Sequence, residues 1–302
     1  MGYALLFSGQ AGQHPDMLSW LQPDETVEAV ERRLGADWRQ RLADPAWAGD
    51  NARAQCLITG LSLAVCRQLA AELGPPAIVA GYSVGELAAF AAAGVFDAAT
   101  ALQLAERRAA CMDAAAAAVR TGLMGLHARN PDELCDLCGR FDLDLAIRLG
   151  PGSAVVGGPV AALAAAAQHA EEVGLRATPL NVALASHTRW MRPALAPFAA
   201  VLDQAVLARP ALPLVSNALG RIHSARQARE ALVRQIAEPV RWDECLDLVQ
   251  AQRVEVVLEI GPGQALARIW NERHPAIPAR SADEFRSRST VLAWAGRHLA
   301  MR

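Results

Sequence analysis

Short apolar runs alternate with longer stretches of helical periodicity along much of this 302-residue chain. Four of the runs are almost continuously apolar, which is typical of strands covered on both faces in a parallel sheet. They are Tyr3–Phe7, "AIVAG" at 77–81, "LPLVSN" at 212–217 and "VEVVLEIG" at 254–261. Helical patterns cover Asn51–Leu73, Glu86–Ala93, Ala98–Val119 and Ala225–Ala237. The pattern predicts an α/β fold with a mainly parallel main sheet.

Between residues 122 and 180 the elements become shorter. Phe141, Leu143 and Leu145 alternate with Asp142 and Asp144, which predicts a strand with one solvated face. The whole segment predicts the order β-α-β-β-α-β, at 122–128, 131–140, 141–149, 153–158, 160–173 and 175–180. This is the order of a ferredoxin-like module. We therefore predict a large domain over 1–120 and 189–302, with a ferredoxin-like small domain inserted over 121–188.

Composition argues against several classes of function. The net charge of -2 gives no reason to expect nucleic acid or an anionic membrane as a partner. No charge-free apolar run is long enough to span a bilayer, and the first residues lack the basic region of a secretory signal. The six cysteines are scattered in mostly apolar, helix-like contexts, which favours a reducing compartment. We expect a cytoplasmic protein that does not bind membranes.

Cys135 and Cys138 form a C-x-x-C motif within "PDELCDLCGR". No second pair and no histidine cluster follows at zinc spacing. A spacing of three residues places both thiols on one face of a helix. We interpret them as structural and expect no metal site.

The segment Gly81–Gly85, "GYSVG", follows an apolar run and precedes a helical pattern. Strand, G-x-S-x-G and helix form the context of a nucleophile elbow. Glycines permit the close approach of strand and helix and the strained backbone of the serine. The elbow would expose the Ser83 hydroxyl and place the Val84 N–H at a helix N-terminus, where it can stabilise an oxyanion. The alternative is a strand end with an incidental serine.

A nucleophilic serine needs a base, and the chain has seven histidines. His187 lies in "NVALASHTRWMRPAL", where an extended apolar segment meets a new helix. This is also the junction of the two predicted domains, and pockets form at such junctions. We predict His187 as the base, by position, and interpret the other six as exposed or packed side chains.

Four motifs in series resemble the malonyl-CoA:acyl-carrier-protein transacylases, and the resemblance covers nearly the whole chain. They are "FSGQAGQ", "GYSVGELAAF", "ASHTRWMRPA" and "EIGPGQALARIW". The expected fold is an α/β-hydrolase-like large domain with the inserted small domain. Tyr82 and the segment "PARSADEFRS" resemble one branch, the transacylase (epsilon) subunit of bacterial malonate decarboxylase. The fatty-acid-synthesis branch usually has histidine at the position of Tyr82.

The resemblance implies roles for individual residues. Ser83 corresponds to the acyl-accepting nucleophile, His187 to its general base and the Val84 N–H to one oxyanion donor. Gln10, in "SGQAGQ", corresponds to the glutamine that supplies a second oxyanion contact. Gln235, in "LVRQIAEPVRW", corresponds to the residue whose main-chain carbonyl orients the histidine. Gln10 and Gln235 could instead be ordinary turn and helix-end residues.

Arg108, in "LAERRAACMDA", corresponds to the arginine that holds the malonyl carboxylate. It is preferred to Arg107 because Met112 follows it by four residues, as the family pattern requires. A planar guanidinium can bind a carboxylate through two hydrogen bonds. The alternative is an ordinary exposed helix arginine.

The implied activity is a two-step acyl transfer. Malonyl-CoA is the substrate, a malonyl-serine is the intermediate, and the acceptor is the phosphopantetheine-type arm of an acyl carrier. In the malonate decarboxylase branch the partner is the acyl-carrier subunit, with other subunits of that complex as further partners. No bound cofactor is expected. No acid is compellingly placed between Ser83 and His187, so a dyad with a carbonyl orienter fits better than a triad.

Other functions remain open from the sequence. The enzyme could serve fatty-acid or polyketide synthesis, it could be a serine thioesterase or hydrolase, or it could be a catalytically silent carrier-docking subunit. Two departures from the family pattern also bear on the site. Ser8 replaces a usual proline and would loosen the Gln10 turn, and Gly158-Pro159 replaces a frequent Gly-Asn pair and would alter a pocket contact.

Overall fold

The computed structural model describes residues 2–299, which form an α/β fold with two β-sheets and flanking helices. The strands are β1 Tyr3–Phe7, β2 Ile78–Gly81, β3 Thr121–His127, β4 Asp144–Gly150, β5 Ser153–Pro159, β6 Arg176–Pro179, β7 Leu214–Ser216, β8 Gly220–Ile222, β9 Val240–Arg241, β10 Val256–Ile260 and β11 Ala279–Ser281. The first helices are α1 Glu25–Leu34, α2 Trp38–Arg41, α3 Pro45–Ala48, α4 Asn51–Leu73, α5 Gly85–Ala92 and α6 Ala98–Ala116. The later ones are α7 Pro131–Phe141, α8 Val160–Glu172, α9 Leu195–Leu202, α10 Ala225–Arg234, α11 Trp242–Gln250, α12 Ala265–Arg273 and α13 Arg288–Leu299. Arg189–Ala194 and Ala282–Glu284 are short 3₁₀ helices.

The larger sheet has the strand order β11-β10-β1-β2-β7-β8. Neighbouring strands are parallel except β7 and β8, which form an antiparallel pair. Phe7 at the end of β1 pairs with Gly81 of β2 and with Ile260 of β10. The carboxyl ends of these three central strands therefore lie side by side at one edge, where open α/β sheets bind ligands.

Both faces of the larger sheet are covered, as the continuous apolar runs predict. Tyr3, Leu5 and Phe7 of β1 face a core cluster that also contains residues of α4, α5, α6 and α13. Ala4 and Leu6 face a second cluster, with residues of α11 and α12. The four predicted strands are thus confirmed as β1, β2, β7 and β10, and the predicted α/β fold is confirmed.

The smaller sheet has the strand order β6-β3-β5-β4-β9. The predicted succession β-α-β-β-α-β is observed as β3, α7, β4, β5, α8 and β6. β3, β4, β5 and β6 pair antiparallel, whereas β9 joins in parallel with β4 from a later part of the chain. The second sheet thus takes a strand from outside residues 121–188, and the domain boundaries stay a prediction.

The predicted strand at 141–149 begins too early and is corrected to β4, which starts at Asp144. Phe141 is the last residue of α7, and Asp142 adopts the left-handed conformation with φ 53° as its C-cap. The alternation therefore reflects a helix end and its cap. Asp144 also differs from the prediction, because its carboxylate accepts hydrogen bonds from the backbone N–H and the guanidinium of Arg189 at 2.8 and 2.7 Å.

Two predicted helices end earlier than expected, α6 at Ala116 and α10 at Arg234. Helix propensity alone favours continuation through the alanine-rich stretch. Turns instead follow both helices and redirect the chain toward β3 and β9. The second of these turns contains Gln235, whose main-chain carbonyl is thereby left outside the regular helix.

Helix α4 is the one described helix that is long and apolar enough to cross a membrane by length and composition, with a mean hydropathy of 1.4 over its best window. That window is 61% buried inside the protein, and α4 packs against α1, α5 and α6. A core helix meets the same criterion. Its buried polar residues, Gln55, Thr59 and Ser62, distinguish it from a uniformly apolar span.

Candidate active site

The predicted elbow lies between β2 and α5, at the carboxyl edge of the larger sheet. Ser83 has φ 55°, a left-handed conformation that non-glycine residues rarely adopt. Glycine is required on both sides, because a Cβ at Gly81 would lie 2.2 Å from the Gly85 carbonyl oxygen and one at Gly85 would lie 2.3 Å from that of Phe7. The sequence pattern and the observed strand, turn and helix therefore agree.

Ser83 and His187 are in hydrogen-bond contact, with 2.7 Å between Oγ and Nε2. The opposite ring nitrogen, Nδ1, is hydrogen-bonded to the main-chain oxygen of Gln235. A carbonyl oxygen only accepts, so Nδ1 carries the proton and Nε2 is free to accept one from the serine. The structure thus brings together the three residues that the sequence assigns to nucleophile, base and orienter.

The environment of His187 keeps its imidazole neutral. The side chain is 1% exposed, and burial, reinforced by the positive charge of Arg108, lowers its pKa to about 3. The hydrogen bond to the Gln235 carbonyl opposes this shift. At neutral pH the ring is therefore in the form that can take a proton from Ser83.

Arg108 is buried beside this pair and is 1% exposed, whereas Arg107 is exposed. Its Nη1 donates to Gln55 Oε1 at 2.8 Å and its Nη2 donates to Gln235 Oε1 at 3.2 Å. Burial lowers the pKa of Arg108 to about 10, against the favourable charge of Glu86. The guanidinium therefore remains a cation at neutral pH. It is connected to His187 through Gln235, whose side chain accepts from Arg108 and whose main-chain oxygen binds His187.

The oxyanion roles of Val84 and Gln10 stay predictions. Val84 is the buried N-cap residue of α5, which places its N–H at a helix N-terminus. Gln10 follows β1 and lines a cavity of about 260 Å³ together with Asn51 and Asp113. Its Nε2 donates to Asn51 Oδ1 at 3.1 Å. The side-chain amide of Gln10 is therefore held by Asn51.

Ser8, expected to loosen the turn that carries Gln10, is fixed by two contacts. It is 3% exposed, its N–H donates to Ile260 O at 2.9 Å, and its Oγ donates to Glu259 Oε1 at 3.0 Å. Glu259 in turn accepts from the Ala267 N–H at 2.8 Å. Burial raises the pKa of Glu259 to about 7. The hydroxyl of Ser8 thus ties the turn to β10 and α12.

Sequence reasoning missed Asn217 and Glu86. Asn217 is hydrogen-bonded to the backbone of the elbow, and Glu86 is hydrogen-bonded to Asn217. Asn217 Oδ1 accepts from the Ser83 N–H at 2.9 Å and its Nδ2 donates to the Gly81 carbonyl at 2.7 Å. The Oε1 of the Glu86 carboxyl group accepts from the Asn217 N–H. Both side chains are fully buried, and burial raises the pKa of Glu86 to about 8. The sequence could have indicated both residues. Asn217 directly follows an apolar strand pattern, and Glu86 is the one acidic residue in an apolar helix.

Gln55 and Asn51 were also missed, and they link the separate parts of the site. Gln55 Nε2 donates to Asn51 Oδ1 at 2.8 Å, the same oxygen that accepts from Gln10. Gln55 Oε1 accepts from Arg108. One chain of hydrogen bonds therefore runs from Gln10 through α4 to Arg108, and from there to Gln235.

Tyr82 and the segment "PARSADEFRS", which resemble the malonate decarboxylase branch, contact loops near the sheet edge. The ring of Tyr82 lies edge-on to Trp242 at 5.1 Å between centroids and so close to Gly9 that a Cβ there would lie 2.8 Å from it. Asp283, within "PARSADEFRS", accepts hydrogen bonds from the Leu18 and Gly263 N–H groups. Tyr82 therefore packs against the residue before Gln10, and Asp283 holds the segments at Leu18 and Gly263.

In the Gly158-Pro159 pair the departure from the frequent Gly-Asn pair is Pro159, which ends β5 and is the N-cap of α8 without a side-chain capping hydrogen bond. Gly158 lies against the segment that follows His187. A Cβ at Gly158 would lie 2.6 Å from Leu143 Cδ2 and 3.2 Å from the Trp190 ring. A side chain at Gly158 would therefore have to displace Leu143, whereas the Trp190 ring would have to give way only slightly.

Within residues 2–299, no group of three or more His, Cys, Asp or Glu side chains is arranged to hold a metal ion. Cys135 and Cys138 both lie in α7, the first exposed and the second partly buried.

Comparisons with known proteins extend over nearly all of this chain. A family described as "Acyl transferase domain" matches residues 49–283. The malonyl CoA-acyl carrier protein transacylase of Mycobacterium tuberculosis is 35% identical over 288 residues, which span 92% of this chain and 95% of that protein. The crystal structure of the transacylase from Mycobacterium tuberculosis superposes with a TM-score of 0.85 and 33% identity, covering 98% and 99% of the two chains.

A further solved structure contains a type II polyketide acyl-carrier protein in complex with its malonyl-transacylase. It has a TM-score of 0.88 and 28% identity, and it covers 98% of this chain and 99% of that one. The strand–elbow–helix geometry, the Ser83–His187 contact and these matches agree with one another. The chain therefore belongs to the acyl transferase domain family and is an acyltransferase.

Proposed function

We propose that the protein transfers a malonyl group from malonyl-CoA to the thiol of an acyl carrier through a malonyl-serine intermediate. The observation that carries the proposal is the 2.7 Å contact between Ser83 Oγ and the neutral, carbonyl-bound imidazole of His187. The names of the similar transacylases support the malonyl group and the carrier as substrates.

In the first step the Ser83 Oγ attacks the thioester carbonyl carbon while His187 Nε2 takes its proton. The tetrahedral oxyanion is stabilised by the Val84 N–H and by Gln10, and one such donor contributes about 2.7–4 kcal/mol to lowering the barrier. The carbon–sulfur bond then breaks, His187 returns the proton to the leaving sulfur, and coenzyme A departs as a thiol.

The second step reverses these roles. The carrier's thiol gives its proton to His187 and attacks the malonyl-serine carbonyl, the carbon–oxygen bond breaks, and Ser83 recovers its proton. Water must be kept from the intermediate. The 1% exposure of His187 supports a site with little solvent around the base.

Arg108 is proposed to bind the free carboxylate of the malonyl group. Its burial and its positive charge support this role, since an isolated buried cation is costly and gains from an anionic ligand. A hydrogen bond to a charged group contributes about 1.5–3 kcal/mol. Acetyl groups have no carboxylate and would leave the guanidinium without this partner.

We propose the acyl-carrier subunit of malonate decarboxylase as the acceptor, so that the enzyme charges that complex. Tyr82 and "PARSADEFRS" support this branch, and Tyr82 packs against Gly9, the residue before Gln10. A carrier of fatty-acid or polyketide synthesis is the second candidate, favoured by the similarity to the polyketide carrier complex.

We also propose the finer fold assignment, an α/β-hydrolase-like large domain over 1–120 and 189–302 with a ferredoxin-like insert over 121–188. The mainly parallel order of the larger sheet and the β6-β3-β5-β4 order of the smaller one support it. The six free cysteines support the cytoplasm as the compartment.

The test is an intact-mass measurement after incubation with malonyl-CoA. Wild type is expected to gain the mass of one malonyl group, and Ser83→Ala to gain none while keeping its thermal unfolding midpoint. An adduct that persists in Ser83→Ala would place the nucleophile elsewhere, and no adduct on wild type would favour a silent docking subunit.

Adding each purified carrier to the acylated enzyme then identifies the acceptor. Rapid loss of the adduct with one carrier, and malonylation of that carrier, is expected for the malonate decarboxylase subunit. Equally fast loss without any carrier would identify a hydrolase, and a preference for the fatty-acid carrier would place the enzyme in that branch.

A further inference from the structure

We propose that the side-chain amide of Gln235 is a second ligand for the malonyl carboxylate, beside Arg108. This inference rests on the proposed function and deepens it. Sequence reasoning assigns Gln235 a role through its main-chain carbonyl alone, so a role for its side chain is additional. The residue would then determine specificity as well as orient the base.

The orientation of the Gln235 amide is fixed by its neighbour. The side chain is 0% exposed, and its Oε1 accepts from Arg108 Nη2 at 3.2 Å. A guanidinium only donates hydrogen bonds, so the amide oxygen must face it. The amide nitrogen, Nε2, is consequently a buried donor with no hydrogen-bond partner among residues 2–299.

Arg108 carries a second donor of the same kind. Its Nη1 and Nη2 donate to Gln55 and Gln235, but its Nε is buried and has no hydrogen-bond partner within the described part of the chain. Buried donors are satisfied in most proteins. Two unsatisfied donors on side chains in contact, next to a cation, are suited to an anionic group with two oxygen atoms, which a carboxylate provides.

Gln55 provides the contrast within the same site. Its Oε1 also accepts from Arg108, at 2.8 Å. Its Nε2, however, donates to Asn51 Oδ1 at 2.8 Å. Gln55 and Gln235 therefore hold the guanidinium in the same way, and they differ in that Gln235 alone of the two retains an unused donor.

The position of Gln235 connects carboxylate binding with the reaction centre. Its main-chain oxygen binds His187 Nδ1, and His187 Nε2 lies 2.7 Å from Ser83 Oγ. A malonyl group esterified to Ser83 has its free carboxylate a few bonds from the serine oxygen. The Nε2 of Gln235 and the Nε of Arg108 are buried donors without a partner in the described part of the chain, and Gln235 links both to the base and the serine.

The test compares Gln235→Met with the matched control Gln55→Met. Both changes keep the side-chain length and remove one acceptor for Arg108, but only the first removes an unused donor. The readout is the ratio of kcat/KM for malonyl-CoA to that for acetyl-CoA, with thermal unfolding midpoints to verify folding. We expect this ratio to fall about 10-fold further in Gln235→Met than in Gln55→Met, the change that follows from loss of one hydrogen bond to a charged group.

A second pair, Gln235→Glu and Gln55→Glu, keeps the acceptor for Arg108 and tests the same point if a methionine variant fails to fold. The carboxylate at 235 would face the malonyl carboxylate in place of a donor, so selectivity should fall further than with Gln55→Glu.

Equal losses of selectivity in the two members of a pair would overturn the inference and leave the proposed function standing. A wild-type enzyme that forms no malonyl-serine would overturn both.

Discussion

Ser83 and His187 share a backbone property that has a free-energy cost. Both have positive φ, 55° and 65°, and a non-glycine residue in this region costs on the order of 1–3 kcal/mol. Contacts on each side maintain the conformation. The Ser83 N–H donates to Asn217 at 2.9 Å, and the His187 N–H donates to the Ile236 carbonyl at 2.8 Å. The side chains of the proposed nucleophile and base are therefore oriented before any substrate binds.

The low pKa of His187 predicts an unusual pH profile for acylation of the enzyme. With a pKa of about 3 the imidazole stays neutral throughout the range from pH 5 to 8. Single-turnover acylation by malonyl-CoA, measured by rapid quench, should therefore vary little across this range. A histidine with an ordinary pKa near 6.5 would instead lose about 30-fold between pH 8 and pH 5.

A variant without the positive charge of Arg108 provides the control for the effect of the His187 pKa on acylation. In Arg108→Gln the pKa of His187 should rise, because the guanidinium is the second cause of its depression. Acylation by acetyl-CoA in this variant should begin to fall at a higher pH than in wild type. A wild-type profile that already declines near pH 6.5 would contradict the assigned environment of the base.

At the scale of elements, strands and helices that lie within an apolar run or a clear periodicity could be predicted from the sequence, and β8, β9 and β11 could not. β1 and α4 appear with the predicted bounds because burial on both faces, or regular periodicity with a capping aspartate, leaves a local signal. β8, β9 and β11 have two or three residues each. β9 pairs with the distant β4, β11 pairs with β10 and β8 forms a hairpin with β7. Two or three residues carry no periodicity from which such strands could be predicted.

The site shows the same division between local and distant causes. The Ser83 elbow is a local feature of strand, glycines and helix, and it was predictable. Gln55 and Asn217 act through partners 53 and 134 residues away in the chain. The resemblance to a family supplied His187, Arg108 and Gln235, which residue patterns alone place weakly or leave open.

The junction of β2 and α5 predicts a strong effect of one added methyl group. In Gly85→Ala the new Cβ would lie 2.3 Å from the Phe7 carbonyl oxygen and 2.7 Å from that of Ser8. Both are backbone atoms of β1 and its turn and cannot move aside cheaply. We expect the free energy of unfolding, measured in urea, to fall by about 1–3 kcal/mol.

Gly139→Ala is the matched control, since this exposed glycine lies within α7 and the new Cβ would meet nothing within 4 Å. That change should raise stability by roughly 0.5–1 kcal/mol through helix propensity. Equal effects of the two substitutions would mean that the elbow tolerates a wider separation of strand and helix.

At the scale of the whole molecule, polar residues gather at the carboxyl edge of the larger sheet. Ser8, Ser83 and Asn217 follow β1, β2 and β7, and Glu259 is the penultimate residue of β10. Each is hydrogen-bonded to another part of the chain. Polar residues at or just after the ends of four strands are thus held by hydrogen bonds at this edge. Glu259 is the ionisable residue among them, and it couples folding to pH.

Glu259 should make stability decline as pH rises. Its pKa is raised to about 7 by burial, against a reference value of 4.5, so the folded state binds more protons than the unfolded state between these values. Its contribution is fully present below pH 4.5 and is lost as pH rises through about 7, by at most about 1.4 kcal/mol per pH unit.

Urea unfolding at several pH values compares wild type with Glu259→Gln. The variant should lack this part of the slope between pH 4.5 and 7, whatever constant difference the substitution adds. Contributions from His187 act in the opposite direction below pH 6.5, but they are common to both proteins and cancel in the difference. Parallel curves would show that Glu259 is already ionised in the folded state.

Arg108 sits within the electrostatic reach of His187 and lowers its pKa, and this has a consequence for redesign of the enzyme. With the role proposed for Arg108, a substitution that removes the guanidinium widens the range of acyl groups, and it also raises the pKa of His187 and so strengthens the proposed base. Conversely, an acyl group that brings its own negative charge to Arg108 offsets the cation beside the imidazole. Acyl selectivity and the basicity of His187 therefore cannot be changed independently by substituting Arg108. A variant made for an uncharged acyl group has a different pKa at His187 as well as a different specificity.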